Sequence, residues 1–375
     1  MENQDHFIPV AEPSIGEREL ELVTACVKST WVSSLGEYIT QFEDEFARYC
    51  GARYGIATSN GTTALHLALA VLGIGPGDEV IVPSLTFIAT ASAVIYTGAT
   101  PVFADVEQDT WTLDPEDVQR KITARTRAII PVHLYGHPAD MDEINRLAKQ
   151  HDLWVIEDAA EAHGAFYRGK RVGSLSDISA FSFYGNKIIT TGEGGMLLTD
   201  NPEWVDQAAN LRDHAMSPEK RYWHSVIGFN YRMTNLQAAL GVAQMEKIDD
   251  FIAAKRRNAA LYNDLLRDVE GVTLPPEAPW ATNVYWMYSV LVDHNFGMSR
   301  DDLMAFLKER RIDSRPFFYP LHTLPPFNHN EYLPVSEKLG TQGINLPSAV
   351  TLTPGEINRI CTAIREAAGA KLKLR

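Results

Sequence analysis

The sequence is short of cysteine, of long apolar runs and of positive charge, and each shortage narrows what it can be. Its three cysteines, Cys26, Cys50 and Cys361, are odd in number, widely spaced and free of any CxxC pair, which argues against a disulfide framework and against a zinc site. No apolar run approaches the roughly 20 residues that span a bilayer. The acidic start, Met1-Glu2-Asn3-Gln4-Asp5, lacks the basic-then-apolar layout of a signal peptide. With 34 Lys and Arg against 48 Asp and Glu, the net charge is −14, so no basic stripe for nucleic acid is expected. The glycines of Thr191-Gly192-Glu193-Gly194-Gly195 do not form GxGxxG, and a dinucleotide site is not supported. No internal repeat or low-complexity tract stands out. The expectation is a cytoplasmic protein with no metal, membrane or nucleic-acid partner.

What is present is enough hydrophobic material for more than one core. A chain of 375 residues, 45% of them hydrophobic, can bury a large core and a smaller one. The fold expected is α/β, with a large, mostly parallel domain over 1–245 that includes an N-terminal arm, and a small C-terminal α+β domain over 246–375. Glycine-led or polar-led periodic stretches predict helices over 61–72 and 86–97. Short apolar runs predict strands over 79–83, 101–105, 128–134, 153–156 and 178–182, with 196–199 as an antiparallel addition. From Thr234, a plausible N-cap, Leu236, Ala239, Leu240 and Ala243 open a helical pattern that continues through Ile248 and Ile252. That spacing predicts one long helix linking the domains. Beyond the Pro-rich 274–279 stretch, a strand over 285–292 and helices near 300–310 and 354–367 make the second domain.

Chemistry concentrates at two places. Lys187 ends Ser182-Phe183-Tyr184-Gly185-Asn186-Lys187, just before the glycine-rich run, and a lysine amine can hold an aldehyde as a Schiff base. A lysine beside glycines is more often a solvated surface residue. Upstream, however, the apolar run 153–156 ends in Glu157-Asp158-Ala159-Ala160-Glu161, which puts a carboxylate at the mouth of a buried strand. Such a carboxylate needs a partner, because burying it unpaired costs several kcal/mol. A protonated pyridine nitrogen is one, so Lys187 and Asp158 together point to pyridoxal phosphate (PLP). Gly61-Thr62-Thr63 at a helix start offers free amides and the positive end of a helix dipole, which suits a phosphate. Most such turns are simply caps.

Four further motifs sharpen this picture: Ser59-Asn60-Gly61-Thr62-Thr63-Ala64-Leu65, Gly77-Asp78-Glu79-Val80-Ile81-Val82-Pro83, Glu157 to Gly164, and Gly228-Phe229-Asn230-Tyr231-Arg232-Met233-Thr234. With the Lys187 segment, they closely resemble the DegT/DnrJ/EryC1/StrS family of PLP-dependent sugar aminotransferases, over Ile8 to about Ile364. The resemblance implies the fold type I, aspartate aminotransferase-like architecture. It implies that Gly61, Thr62 and Ser182 hold the PLP phosphate, that Phe87 stacks on the pyridine ring, and that Asp158 pairs with the ring nitrogen. Glu161, where many relatives carry Gln, would face the phenolic oxygen with a raised pKa. Asn230 would reach the phosphate from a partner subunit, so the resemblance implies a homodimer with shared sites, and dimers could pair into tetramers. Lys187 would be the catalytic residue, first binding the cofactor and then shuttling a proton.

For the substrate, the resemblance is strongest with the branch acting on a GDP-linked 4-keto-6-deoxyhexose, carried by 182–196, Tyr222-Trp223-His224 and 315–322. The reaction it implies moves the amino group of L-glutamate to the 4-keto carbon of GDP-4-keto-6-deoxy-D-mannose. His163, Tyr319 and His322 are the candidate substrate contacts. A related dehydratase branch replaces the lysine by histidine; Lys187 favours transamination. The alternatives are a UDP- or dTDP-linked hexose, an 8-keto octulosonate, or a non-catalytic regulator that binds PLP or a sugar nucleotide.

Overall fold

Short Val/Ile-rich runs, each closed by a small or polar residue, become the strands of a seven-stranded sheet. The computed structural model describes residues 6–327 and 331–370; the Met1–Asp5 stretch read above lies outside them. The sheet runs in the order Tyr54–Thr58, Gly195–Thr199, Ile178–Ser182, Trp154–Asp158, Thr126–Ile129, Glu79–Pro83, Thr100–Ala104. Its last five strands are parallel, and Gly195–Thr199 is antiparallel to both of its neighbours. Such a sheet is buried on both faces. Helices Gly61–Val71 and Ala89–Tyr96 pack in one apolar core with Val80, Val82 and Ile156, while Phe42, Phe46, Phe181 and Phe183 anchor another.

A second, antiparallel sheet joins Val272–Thr273, Tyr288–Val292, Gly343–Leu346 and Arg315–Pro316. Helices Ile248–Leu266, Arg300–Glu309 and Pro354–Ala370 supply its core with Tyr262, Leu303, Leu307, Ile357 and Ile360. Ile8 belongs to that core as well. Its amide donates to the Arg311 carbonyl and its carbonyl accepts from Asp313 N, both at 2.9 Å. The N-terminal arm, grouped above with the first 245 residues, thus packs with the second core.

Four local expectations are corrected. The long helix from Thr234 is two, Asn235–Met245 and Ile248–Leu266. The chain breaks at Glu246-Lys247, where Lys247 departs from the helical φ at −119° and its Nζ bonds the buried Glu19 carboxylate at 2.7 and 2.8 Å, to which Gln244 also donates. Thr234 does cap the first helix, as its spacing predicts. The helix expected from 86 starts at Ala89, and the strand expected from 285 starts at Tyr288. In both cases the missing residues line or approach one cavity. The strand expected over 128–134 likewise ends at Ile129, with a 3₁₀ turn at Leu134–Gly136.

Candidate active site

The parallel strands end on one side of the sheet, and the turns that follow them enclose a cavity of about 520 Å³, within the roughly 300–1,000 Å³ usual for small-molecule sites. Openings at the carboxyl ends of parallel strands are the usual ligand sites of α/β sheets. Asn60 to Thr63, Thr86 and Phe87, Asp158 and Glu161, and Ser182, Tyr184, Asn186 and Lys187 all reach it from different strand ends.

Lys187 is almost fully buried, with Nζ 3.6 Å from Glu161 Oε1 and 3.8 Å from the centroid of the Trp286 ring. Burial pushes its amine below the ordinary lysine range, against the pull of Glu161 and Asp158. Burial likewise raises the Glu161 carboxyl to about 7, although Lys187 and an amide hydrogen bond from Tyr135, at 2.8 Å, oppose the rise. An amine whose pKa is lowered and a carboxyl whose pKa is raised, side by side, can exchange a proton. Asp158 is 5% exposed. It accepts from Thr90 Oγ1 at 2.7 Å and from Ala160 N at 3.3 Å, and burial raises its pKa.

The helix Gly61–Val71 points its N-terminus at the same space. Asn60 caps it by accepting from Thr63 N at 2.9 Å, and the first-turn amides of Gly61 and Thr62 have no helical carbonyl to bond. A Cβ at Gly61 would stand 2.7 Å from Ser182 Cβ, so the turn must be bare for its backbone to approach Ser182. These residues fit PLP. A bare amide cradle suits the phosphate, and a buried carboxylate with only neutral donors suits a protonated ring nitrogen. Phe87, half-exposed, lines the cavity with its ring 5.7 Å from that of Phe318.

Two of the expected substrate contacts lie elsewhere. His163 is fully buried among Phe46, Phe181 and Phe183, and neither ring nitrogen meets a well-aligned hydrogen-bond partner among the described residues. Burial drives its pKa down to about 3. It is a neutral core residue behind the lysine. His322 is buried too. Its Nδ1 lies 2.6 Å from Ser84 Oγ and its Nε2 3.2 Å from Glu337 Oε1, which clamps the 320–324 turn to the end of Glu79–Pro83. Tyr319 is exposed beside the lining residue Phe318, and Asn230 is exposed, its Oδ1 accepting from Arg232. Neither lines the cavity. Thr90 and Trp286 were not anticipated, and Phe318 was singled out only as part of the 315–322 segment. Thr90 carries no motif, and Trp286 comes from a distant segment.

A profile of the DegT/DnrJ/EryC1/StrS aminotransferase family matches residues 13–365. The chain belongs to that family. It is a PLP-dependent sugar transaminase of the fold type I architecture. Among relatives of this family, the chain is similar to a GDP-perosamine synthase of Caulobacter vibrioides, at 49% identity over 95% of this chain and 97% of that one. Among solved structures it is similar to DesV of S. venezuelae in complex with a ketimine intermediate, with 39% identity, TM-score 0.88, and 93% and 94% of the two chains covered. The PLP form of a sugar aminotransferase from Streptococcus pneumoniae superposes with TM-score 0.92 at 26% identity, covering 98% and 100% of the two chains. Among the described residues no helix is long and apolar enough to cross a membrane, and no cluster of three or more metal-ligating side chains occurs.

Proposed function

We propose that the enzyme transfers the amino group of L-glutamate to the 4-keto carbon of GDP-4-keto-6-deoxy-D-mannose, giving GDP-perosamine. The observation that carries the reaction is the buried Lys187 amine beside Glu161, in one cavity with Asp158. The sugar rests on the Caulobacter relative, a GDP-perosamine synthase at 49% identity. When bound, PLP supplies an electron sink for the bonds being broken. Asp158 would hold the ring nitrogen protonated, Gly61, Thr62 and Ser182 would hold the phosphate, and Phe87 would give the ring an apolar face. Lys187 would anchor the cofactor and then carry a proton to and from the reacting carbon, and Glu161 would share that proton. Proton transfer of this kind is worth roughly 10²–10⁴-fold. Phe87, Phe318 and Trp286 form an apolar wall that keeps water from the lysine.

The test is a comparison of keto-sugar nucleotides by mass spectrometry, with glutamate as donor. GDP-4-keto-6-deoxymannose is expected to show a higher kcat/KM than the dTDP- or UDP-linked sugars. A site that hydrogen-bonds one base edge can reject analogues by roughly 10⁴ or more. Equal turnover of a UDP or dTDP sugar sinks the GDP assignment. Loss of yellow colour and of activity in Lys187→Ala is expected in the same assay, and near-normal turnover there would remove Lys187 from the chemistry.

The working unit is a homodimer, in which Asn230 completes the site of the other subunit. An apolar row of Leu20, Val27, Trp31 and Leu35 is exposed on and after the helix Glu17–Ser29, and a second copy would cover it. Mixing Lys187→Ala and Asn230→Ala chains, each inactive alone, should restore one working site per mixed dimer. No recovery after verified subunit exchange would place Asn230 within its own chain's site. Three buried free thiols suit a reducing compartment, and we assign the enzyme to the cytoplasm; a disulfide in protein isolated under non-reducing conditions would contradict that.

A further inference from the structure

Trp286 touches Lys187 and its neighbour through separate contacts. Its ring face lies under Lys187 Nζ at 3.8 Å, and its indole N–H donates to the carbonyl of Asn186, the residue before the lysine, at 2.7 Å. The first contact attracts a cation, and the second fixes the backbone from which the lysine springs. A lysine side chain has four rotatable bonds and about 2 kcal/mol of rotamer entropy. Contacts at both its head and its root therefore decide where the amine stands.

Trp286 is in turn held from behind. Its carbonyl accepts from Lys255 Nζ at 2.9 Å, and the same ammonium donates to the Ser348 carbonyl at 2.6 Å. Lys255 is 5% exposed. No carboxylate is bonded to it among the described residues, and burial alone drives its pKa down to about 7. Burying a lysine this way is costly. What it gives in return is partners for two carbonyls in segments that run just outside the sheet ladder. The segment around Trp286 is constrained on its other side as well. Tyr285 sits at φ 48°, its amide donates to Asn283 Oδ1 at 2.7 Å, and a Cβ on Gly136 would stand 2.9 Å from Trp286 N. A non-glycine residue held at positive φ persists only where its surroundings over-determine it.

We propose that Trp286 is a positioning residue for the Lys187 amine, and that the buried Lys255 sets where Trp286 stands. This rests on the reading of Lys187 as the residue that carries PLP. Trp286 then does two things: it confines the amine to the cavity, and it favours the cationic form of the nitrogen through the ring face. Glu161, Asp158 and His163 also act on that nitrogen, so Trp286 adds to a field rather than creating it.

The experiment is a spectrophotometric pH titration of the yellow band of lysine-linked PLP in purified holoenzyme without donor, alongside kcat and KM for glutamate. Trp286→Leu is expected to lower the midpoint by roughly 0.5–1 pH unit and to lower kcat more than it raises KM. Trp286→Phe keeps a ring but loses the indole N–H, and its midpoint should fall by less. Lys255→Met should shift the midpoint in the same direction as Trp286→Leu while the circular dichroism stays that of the parent. Yellow Trp286→Leu and Trp286→Phe proteins that titrate like the parent overturn the role of Trp286; if the Leu variant does not fold, the Phe variant alone decides. A folded Lys255→Met that titrates like the parent overturns the role of Lys255. Failure of the parent itself to form a lysine-linked band would instead overturn the reading of Lys187.

Discussion

Glu157 and Asp158 are neighbours on one strand, both carboxylates and both buried, yet they face opposite sides of the sheet and lead different lives. Glu157 turns inward. It accepts from Gly173 N at 2.8 Å, Leu175 N at 2.9 Å, Ser176 Oγ at 2.9 Å and His133 Nε2 at 3.1 Å. Because His133 Nδ1 accepts from Ala139 N, the ring proton is assigned to Nε2 and points at Glu157. Asp158 turns to the cavity, with one hydroxyl and one long amide contact. A saturated carboxylate is structure, and an under-supplied one at a cavity wall is a binding group. The strand alternation that separates the two costs nothing extra, since successive side chains point to opposite faces.

That contrast can be broken at three points. The largest effect on chemistry is expected from Asp158→Asn, which removes a charge-assisted bond of about 1.5–3 kcal/mol, or roughly 10- to 150-fold in rate. Steady-state kinetics and PLP retention on gel filtration measure it, and unchanged values would strike Asp158 from the site. Glu157→Gln should do the reverse. It places an amide N–H₂ among donors and should cost about 1–3 kcal/mol of stability, while the rate per folded molecule stays close to that of the parent. Urea unfolding, paired with kinetics on the folded fraction, separates the two, and a large rate loss at full stability would give Glu157 a chemical role. The smallest effect is expected from His163→Leu. Removing ring nitrogens that lack aligned partners should change stability by under about 1 kcal/mol and leave KM for the sugar unaltered. A raised KM would return His163 to the substrate site.

Much of this site was legible before any coordinates. Lys187, Asp158, Glu161, Gly61, Thr62, Ser182 and Phe87 all end or follow strands or open a helix, and short apolar runs mark the existence of such strands. All seven line one cavity. The expectation that Glu161 titrates high also agrees with its burial. The histidines misled because their neighbours in sequence are not their neighbours in space. His163 lies within the Asp158 motif, but the turn buries it against three phenylalanines. His322 follows exposed Tyr319, but the 3₁₀ turn at Leu321–Thr323 folds it onto Ser84. Residues such as Thr90 and Trp286 were invisible for the opposite reason, since nothing local marks them and only long-range packing brings them in. The break at Lys247 was hidden likewise, because the helical period runs unbroken through it and the carboxylate that Lys247 bonds there, Glu19, is far away along the chain.

The bond between Trp286 and Asn186 also sets a clock. The two residues are 100 positions apart, and at roughly 5–20 residues per second of synthesis, the second emerges roughly 5–20 s after the first. During that interval the growing chain already carries Lys187, Asp158, Gly61 and Phe87 but not Trp286 or Phe318. Ile8 waits longer still for Ile312. The cavity is therefore completed last on its Trp286 and Phe318 side.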